Sequence, residues 1–79
     1  MVEWQIASIQ ALTGLRLRIH FADGVEGFVE LQAEELTGVL EPLQQQSYFE
    51  RVRLVDGVPT WPGGEELAPD GLRAELHAG

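Results

Sequence analysis

The stretch from Leu15 to Leu31, LRLRIHFADGVEGFVEL, leaves the chain little conformational choice. Leu15, Leu17, Ile19 and Phe21 alternate with Arg16, Arg18 and His20, the period-two pattern of a strand with one buried and one wet face. The return arm decides the turn. A two-residue loop at Asp23-Gly24 would set Phe21 against Glu26 and Leu17 against Glu30, mixing apolar with polar side chains. A three-residue loop, Ala22-Asp23-Gly24, sets Phe21 opposite Val25, Ile19 opposite Gly27, Leu17 opposite Val29 and Leu15 opposite Leu31, and keeps the faces apart. A loop of that kind, a type I turn closed by a left-handed residue, needs glycine where Gly24 stands. The spacing therefore predicts a β-hairpin whose polar face carries Arg16, Arg18, His20, Glu26, Phe28 and Glu30.

The flanking segments extend this hairpin. Trp4 to Leu12, rich in β-branched and aromatic residues, reads as a first strand joined at Thr13-Gly14, so that the chain begins as a meander. A tight turn there would pair Leu12 with Leu15 and Ile6 with Phe21. It would also put Ser8 and Gln10 on the apolar face, a conflict that a bulge or a longer loop would relieve. After Leu31 the period changes. Ala33-Glu34-Glu35-Leu36, followed by Thr37-Gly38, has the form of one helical turn with glycine at its end. Val39, Leu40 and Leu43 flank Pro42 and should tuck a loop against the sheet. Ser47 and Glu50 have capping-box spacing, in a turn that would seat Phe49 in the core. Arg51 to Trp61 reads as a second hairpin about Asp56-Gly57, pairing Val55 with Val58 and setting Val52 opposite Trp61. Pro59 has no ladder donor, so its strand should lie at an edge or turn that nitrogen outward. Pro69 to His77 suggests a short closing helix that buries Leu72 and Leu76 and frays toward His77.

These elements define an α+β fold, one domain over residues 1–79: a small curved antiparallel sheet of meander plus hairpin, short helices and a C-terminal helix. Thirteen Asp and Glu oppose five Arg and no Lys, for a net charge of -8. Such a field repels phosphate backbones and disfavours direct nucleic-acid binding. Cysteine is absent, which removes disulfides and thiolate metal sites and suits a reducing cytoplasm. The N-terminal MVEWQIAS lacks the pattern of a signal peptide, and no run approaches the ~20 apolar residues of a membrane span. The expectation is a cytoplasmic protein without membrane contact.

The order of LRLRIHFADG, GVLEPL, SYFERVRL, a hairpin ending in Trp61-Pro62 and the segment from Ala68 to Leu72 resembles the small bacterial family called domain of unknown function 2442. The resemblance covers about Ile9 to Leu76. It implies an α+β fold, found alone or fused to a helix-turn-helix DNA-binding domain, and it implies no assigned activity. Where that family often carries Trp-Pro-Asn-Gly and then an aspartate, this chain has Trp61-Pro62-Gly63-Gly64 and then Glu65-Glu66.

Candidate chemistry is sparse. Glu26 opposite His20 could orient the imidazole as a general base, although a solvated cross-strand pair is the ordinary reading. Glu30 opposite Arg16 suggests an ion pair, and Phe28 opposite Arg18 a cation-π contact. Arg16, Arg18, Arg51 and Arg53 would form a basic stripe if the two hairpins lay side by side, yet acids interleave them throughout. Phe28 is either a cross-strand packer or the centre of a partner patch, and Trp61 fits the core. Two distant histidines lack ligand spacing, and Glu65, Glu66 and Asp70 read as a charged loop more readily than as a cation site. No cofactor or metal is expected. The reading that follows is a non-enzymatic protein-interaction or regulatory module, antitoxin-like or transcription-associated, working with a protein partner or as a homodimer. The alternative is a small-ligand-binding protein or enzyme using His20 and Glu26.

Overall fold

Alternating side chains build the sheet at the centre of the molecule. The computed structural model describes residues 5–77. Strands β1 (Ile6–Leu12), β2 (Arg16–Phe21) and β3 (Glu26–Glu30) form an antiparallel meander in that order. The β2–β3 register is the one expected, with Leu17 opposite Val29 and Ile19 opposite Gly27. The loop closes as the three-residue reading requires: Phe21 N–H donates to the Val25 carbonyl at 2.8 Å and Gly24 N–H to the Phe21 carbonyl at 3.0 Å. Gly24 sits at φ 95°, a conformation that costs glycine little.

The β1–β2 connection differs from the tight-turn reading. Leu12 pairs with Arg16 and not with Leu15, so three residues form the loop, with Gly14 at φ 78° and Leu15 at φ 57°. This shifts the register by one and places Ile9 opposite Ile19 and Ala11 opposite Leu17 on the core side. A bulge between Ile6 and Ser8 then restores Ile6 opposite Phe21. Both isoleucines thereby face the core despite their odd spacing. Gln46 holds the strained loop: its Nε2 donates to the Leu12 carbonyl at 3.1 Å, and its Oε1 accepts from Leu15 N–H at 3.2 Å. Trp4, the expected start of the strand, lies outside the described residues.

The cover over the apolar face is irregular. Two 3-10 segments, Ala33–Glu35 and Gly38–Gln44, precede a single turn α1 (Gln46–Phe49). Pro42 lies inside the second segment, which buries Leu43 and leaves Leu40 packed against the core and Val39 81% exposed. Ser47 does not cap a helix. It lies inside α1, which starts after Gln45 and has no side-chain cap. Phe49 is buried as expected.

Strands β4 (Arg53–Val55) and β5 (Val58–Thr60) make a separate two-stranded ribbon, with Val55 opposite Val58 about Asp56 and Gly57 at φ 53° and 78°. Both positive φ values are those of the hairpin turn that Asp-Gly favours. Pro59 directs its backbone away from β4, where its carbonyl accepts Leu67 N–H at 3.2 Å. Trp61 is buried; its Nε1–H donates to the Phe49 carbonyl at 2.8 Å, and the two rings lie 5.9 Å apart. Helix α2 (Pro69–Ala74) buries Leu72. The chain does not fray at His77. It returns to β3, where Phe28 N–H donates to the His77 carbonyl at 2.8 Å and His77 N–H to the Phe28 carbonyl at 2.7 Å. The core joins Ile6, Leu17, Ile19, Phe21 and Val29 of the sheet to Leu36, Leu43, Phe49, Trp61 and Leu72 of the cover.

Candidate functional site

The opposite face of the meander is built by the same alternation. Three cross-strand rows lie on it: Ser8, His20 and Glu26; Gln10, Arg18 and Phe28; Leu12, Arg16 and Glu30. All six residues marked in the sequence are therefore brought onto one surface. Ser8, Gln10 and Leu12 join them, and the sequence reading missed these because a tight first turn assigned Ser8 and Gln10 to the other face. The signal was present in that conflict, since two polar residues on a buried face argue for a register shifted by one.

Within the first row, His20 Nδ1 lies 4.0 Å from Glu26 Oε1, and Arg18 Nη2 approaches the same oxygen at 4.0 Å; the side chains are about half exposed. At that distance the carboxylate attracts the Arg18 guanidinium without a hydrogen bond between the two. Arg16 does not make the expected pair with Glu30. Its Nε donates to the Thr13 carbonyl at 2.9 Å, which ties the arginine to the β1–β2 loop. Phe28 is half-buried and stacks on the His77 imidazole at 5.3 Å between ring centres. A shallow depression of ≈ 410 Å³ opens among Ser8, Gln10, Arg18, His20 and Glu26.

Elsewhere the polar groups hold loops. Tyr48 donates its hydroxyl hydrogen to Glu65 Oε1 at 2.7 Å and accepts from Gly63 N–H at 2.7 Å. The hydrogen bond to that carboxylate, followed by burial, raises the Tyr48 pKa above its ordinary value. Arg73 donates to both oxygens of Asp23, at 3.4 and 3.2 Å, and its guanidinium lies 4.8 Å over the Phe21 ring. The bonds from Arg73 lower the Asp23 carboxyl below the usual range. Glu65 is thus engaged by Tyr48. Among the described residues no three His, Cys, Asp or Glu side chains are grouped to hold a metal ion, so Glu65, Glu66 and Asp70 do not converge as a cation site. Of the four arginines weighed as a stripe, Arg16 and Arg18 belong to the meander and Arg53 to the separate ribbon. No helix among the described residues is long and apolar enough to cross a membrane.

No characterised protein and no solved structure matches the chain. A family model does, over residues 6–78, which span every strand and helix described above. The chain accordingly belongs to the family described as Protein of unknown function (DUF2442).

Proposed function

We propose that this chain is a non-enzymatic protein-interaction or regulatory module that engages a partner through the exposed face of its meander. The observation that carries the reading is the gathering of Arg16, Arg18, His20, Glu26, Phe28 and Glu30 on one surface, in register, with His20, Arg18 and Glu26 about half exposed. Cations on β2 face acids on β3 across this surface, and an aromatic side chain sits among them. Such a mixture supplies orientation and specificity in a protein contact more readily than it supplies chemistry. The net charge of -8 suits a basic protein partner, as for an antitoxin or a transcription-associated protein in a bacterial cytoplasm. Affinity capture from the native cell, with the wild type beside an Arg18→Glu variant and an exposed Val55→Ser control, tests it. A partner held by wild type and control and lost by Arg18→Glu is expected. Retention of the same proteins by all three would sink the reading.

A second reading, a ligand-binding or enzymatic site using His20 and Glu26, draws on the row that places Ser8 beside that pair and on the depression they border. An imidazole between a hydroxyl and a carboxylate has the residue types of nucleophilic catalysis. Screening the wild type against a His20→Gln variant with chromogenic esters distinguishes it. Turnover lost on substitution would favour catalysis, and identical background rates would remove it.

A further inference from the structure

The elements that cover the sheet leave a second surface on the other side of the core from the polar face. One depression, ≈ 570 Å³, lies between Val39 and Leu40 on one wall and the Gly63-to-Glu66 loop on the other. Another, ≈ 210 Å³, runs from Leu36 and Leu40 past Leu67 and Gly71 to Leu72, with Glu35 and Glu75 at its rim. Adjoining at Leu40, the two make a trough whose smaller half is lined mostly by leucine side chains. Val39, at its mouth, is 81% exposed.

The rim is of one sign. Among the described residues, every ionisable side chain bordering either depression is a carboxylate: Glu35, Glu65, Glu66 and Glu75. The basic residue of α2, Arg73, is turned to Asp23 and Phe21. From this juxtaposition we infer that the trough is the docking site for a basic amphipathic segment of a partner protein, with leucine-like side chains entering between Leu40 and Leu72 and arginines or lysines meeting the four carboxylates. A helix with apolar residues at i, i+3 or i+4, and i+7 has the required form. A second copy of this chain does not fit. It would carry another acidic rim and a further net charge of -8 against the first, and like charges in apposition oppose association. The inference concerns a surface separate from the sheet face and stands or falls without it.

Its test is a titration of the 15N-labelled full chain with a synthetic amphipathic peptide bearing leucines on one face and arginines on the other, beside a counterpart in which glutamates replace the arginines. The basic peptide is expected to shift the amides of Val39, Leu40, Gly63, Gly64 and Gly71, to leave those of His20 and Glu26 in place, and to weaken as salt is raised. The double variant Glu35→Lys/Glu75→Lys should bind about tenfold less tightly. Val39→Ser, at a position exposed enough to leave folding intact, should lower affinity as well. Equal binding of the acidic peptide, undiminished binding by the charge-reversed variant, shifts confined to the sheet face, or no shift at millimolar peptide would each overturn the inference. So would a dimer of the free chain in sedimentation that Val39→Ser dissolves, since that would make a second copy the occupant. Retention of partner capture by Arg18→Glu, with trough binding intact, would count only against the sheet-face reading.

Discussion

Gly27 marks the closest approach between the sheet and the returning chain. A Cβ built there would collide with the His77 carbonyl oxygen and come within 2.9 Å of Leu76 Cγ. The requirement is one of space, since the position has no left-handed backbone. Gly27→Ala should displace the Phe28–His77 bridge and cost about 1–3 kcal/mol, as overpacking of a tight contact does. Urea unfolding measures the cost, and faster exchange of the Phe28 amide would show that the bridge opened. Tyr48 makes a different kind of contact, a hydroxyl shared between a carboxylate and a backbone amide. Its pKa is higher in the folded chain than in the unfolded one. Its contribution is therefore whole below pH ~10 and is lost as pH rises through the folded-state value. Tyr48→Phe should lower the urea midpoint at neutral pH and remove this part of the alkaline decline. Midpoints of wild type and variant that run parallel from pH 8 to beyond ~10 would contradict the linkage.

At the level of elements, what was legible followed from how far apart the deciding residues lie. The β2–β3 hairpin could be read because Phe21, Gly24 and Val25 settle the register within a few positions, and Asp56-Gly57 did the same for the ribbon. The first strand could not be placed so securely. Its register depends on a bulge at Ala7 and on a glutamine in another element: Gln46, 31 and 34 residues from its two partners, bonds across the β1–β2 loop. No local pattern announces such a bond. Gln46→Ala should destabilise the protein by about 1–2 kcal/mol, because Leu15 N–H and the Leu12 carbonyl lose a partner in a half-buried site, and it should raise exchange at Leu15 before Ile19. Ser47 misled for a related reason, since capping-box spacing says nothing of where the helical turn begins, and here Pro42 and the second 3-10 segment decide that. The candidate site was legible in its β2 and β3 rows, as alternation alone fixes them. Its β1 row was hidden with the register of that strand.

Across the whole molecule, the acidic balance meets a small core. Only five arginines offset thirteen carboxylates, and net self-repulsion works against a compact state until salt screens it. Raising sodium chloride from about 10 to 150 mM, where the Debye length falls from ~30 to ~8 Å, should raise the Tm; a Tm that falls would mean that surface pairs such as Arg73–Asp23 outweigh the repulsion. The bridge from His77 to Phe28 adds a constraint in time. Two short loops can bring the three strands of the meander together early, from contacts close in sequence. The outer side of β3 takes its last partner from the far end of the described chain, so on a ribosome the sheet would hold an unsealed border until the chain through His77 had emerged. During that interval β3, with Phe28 at its centre, is the strand most available to pair with a neighbouring nascent chain.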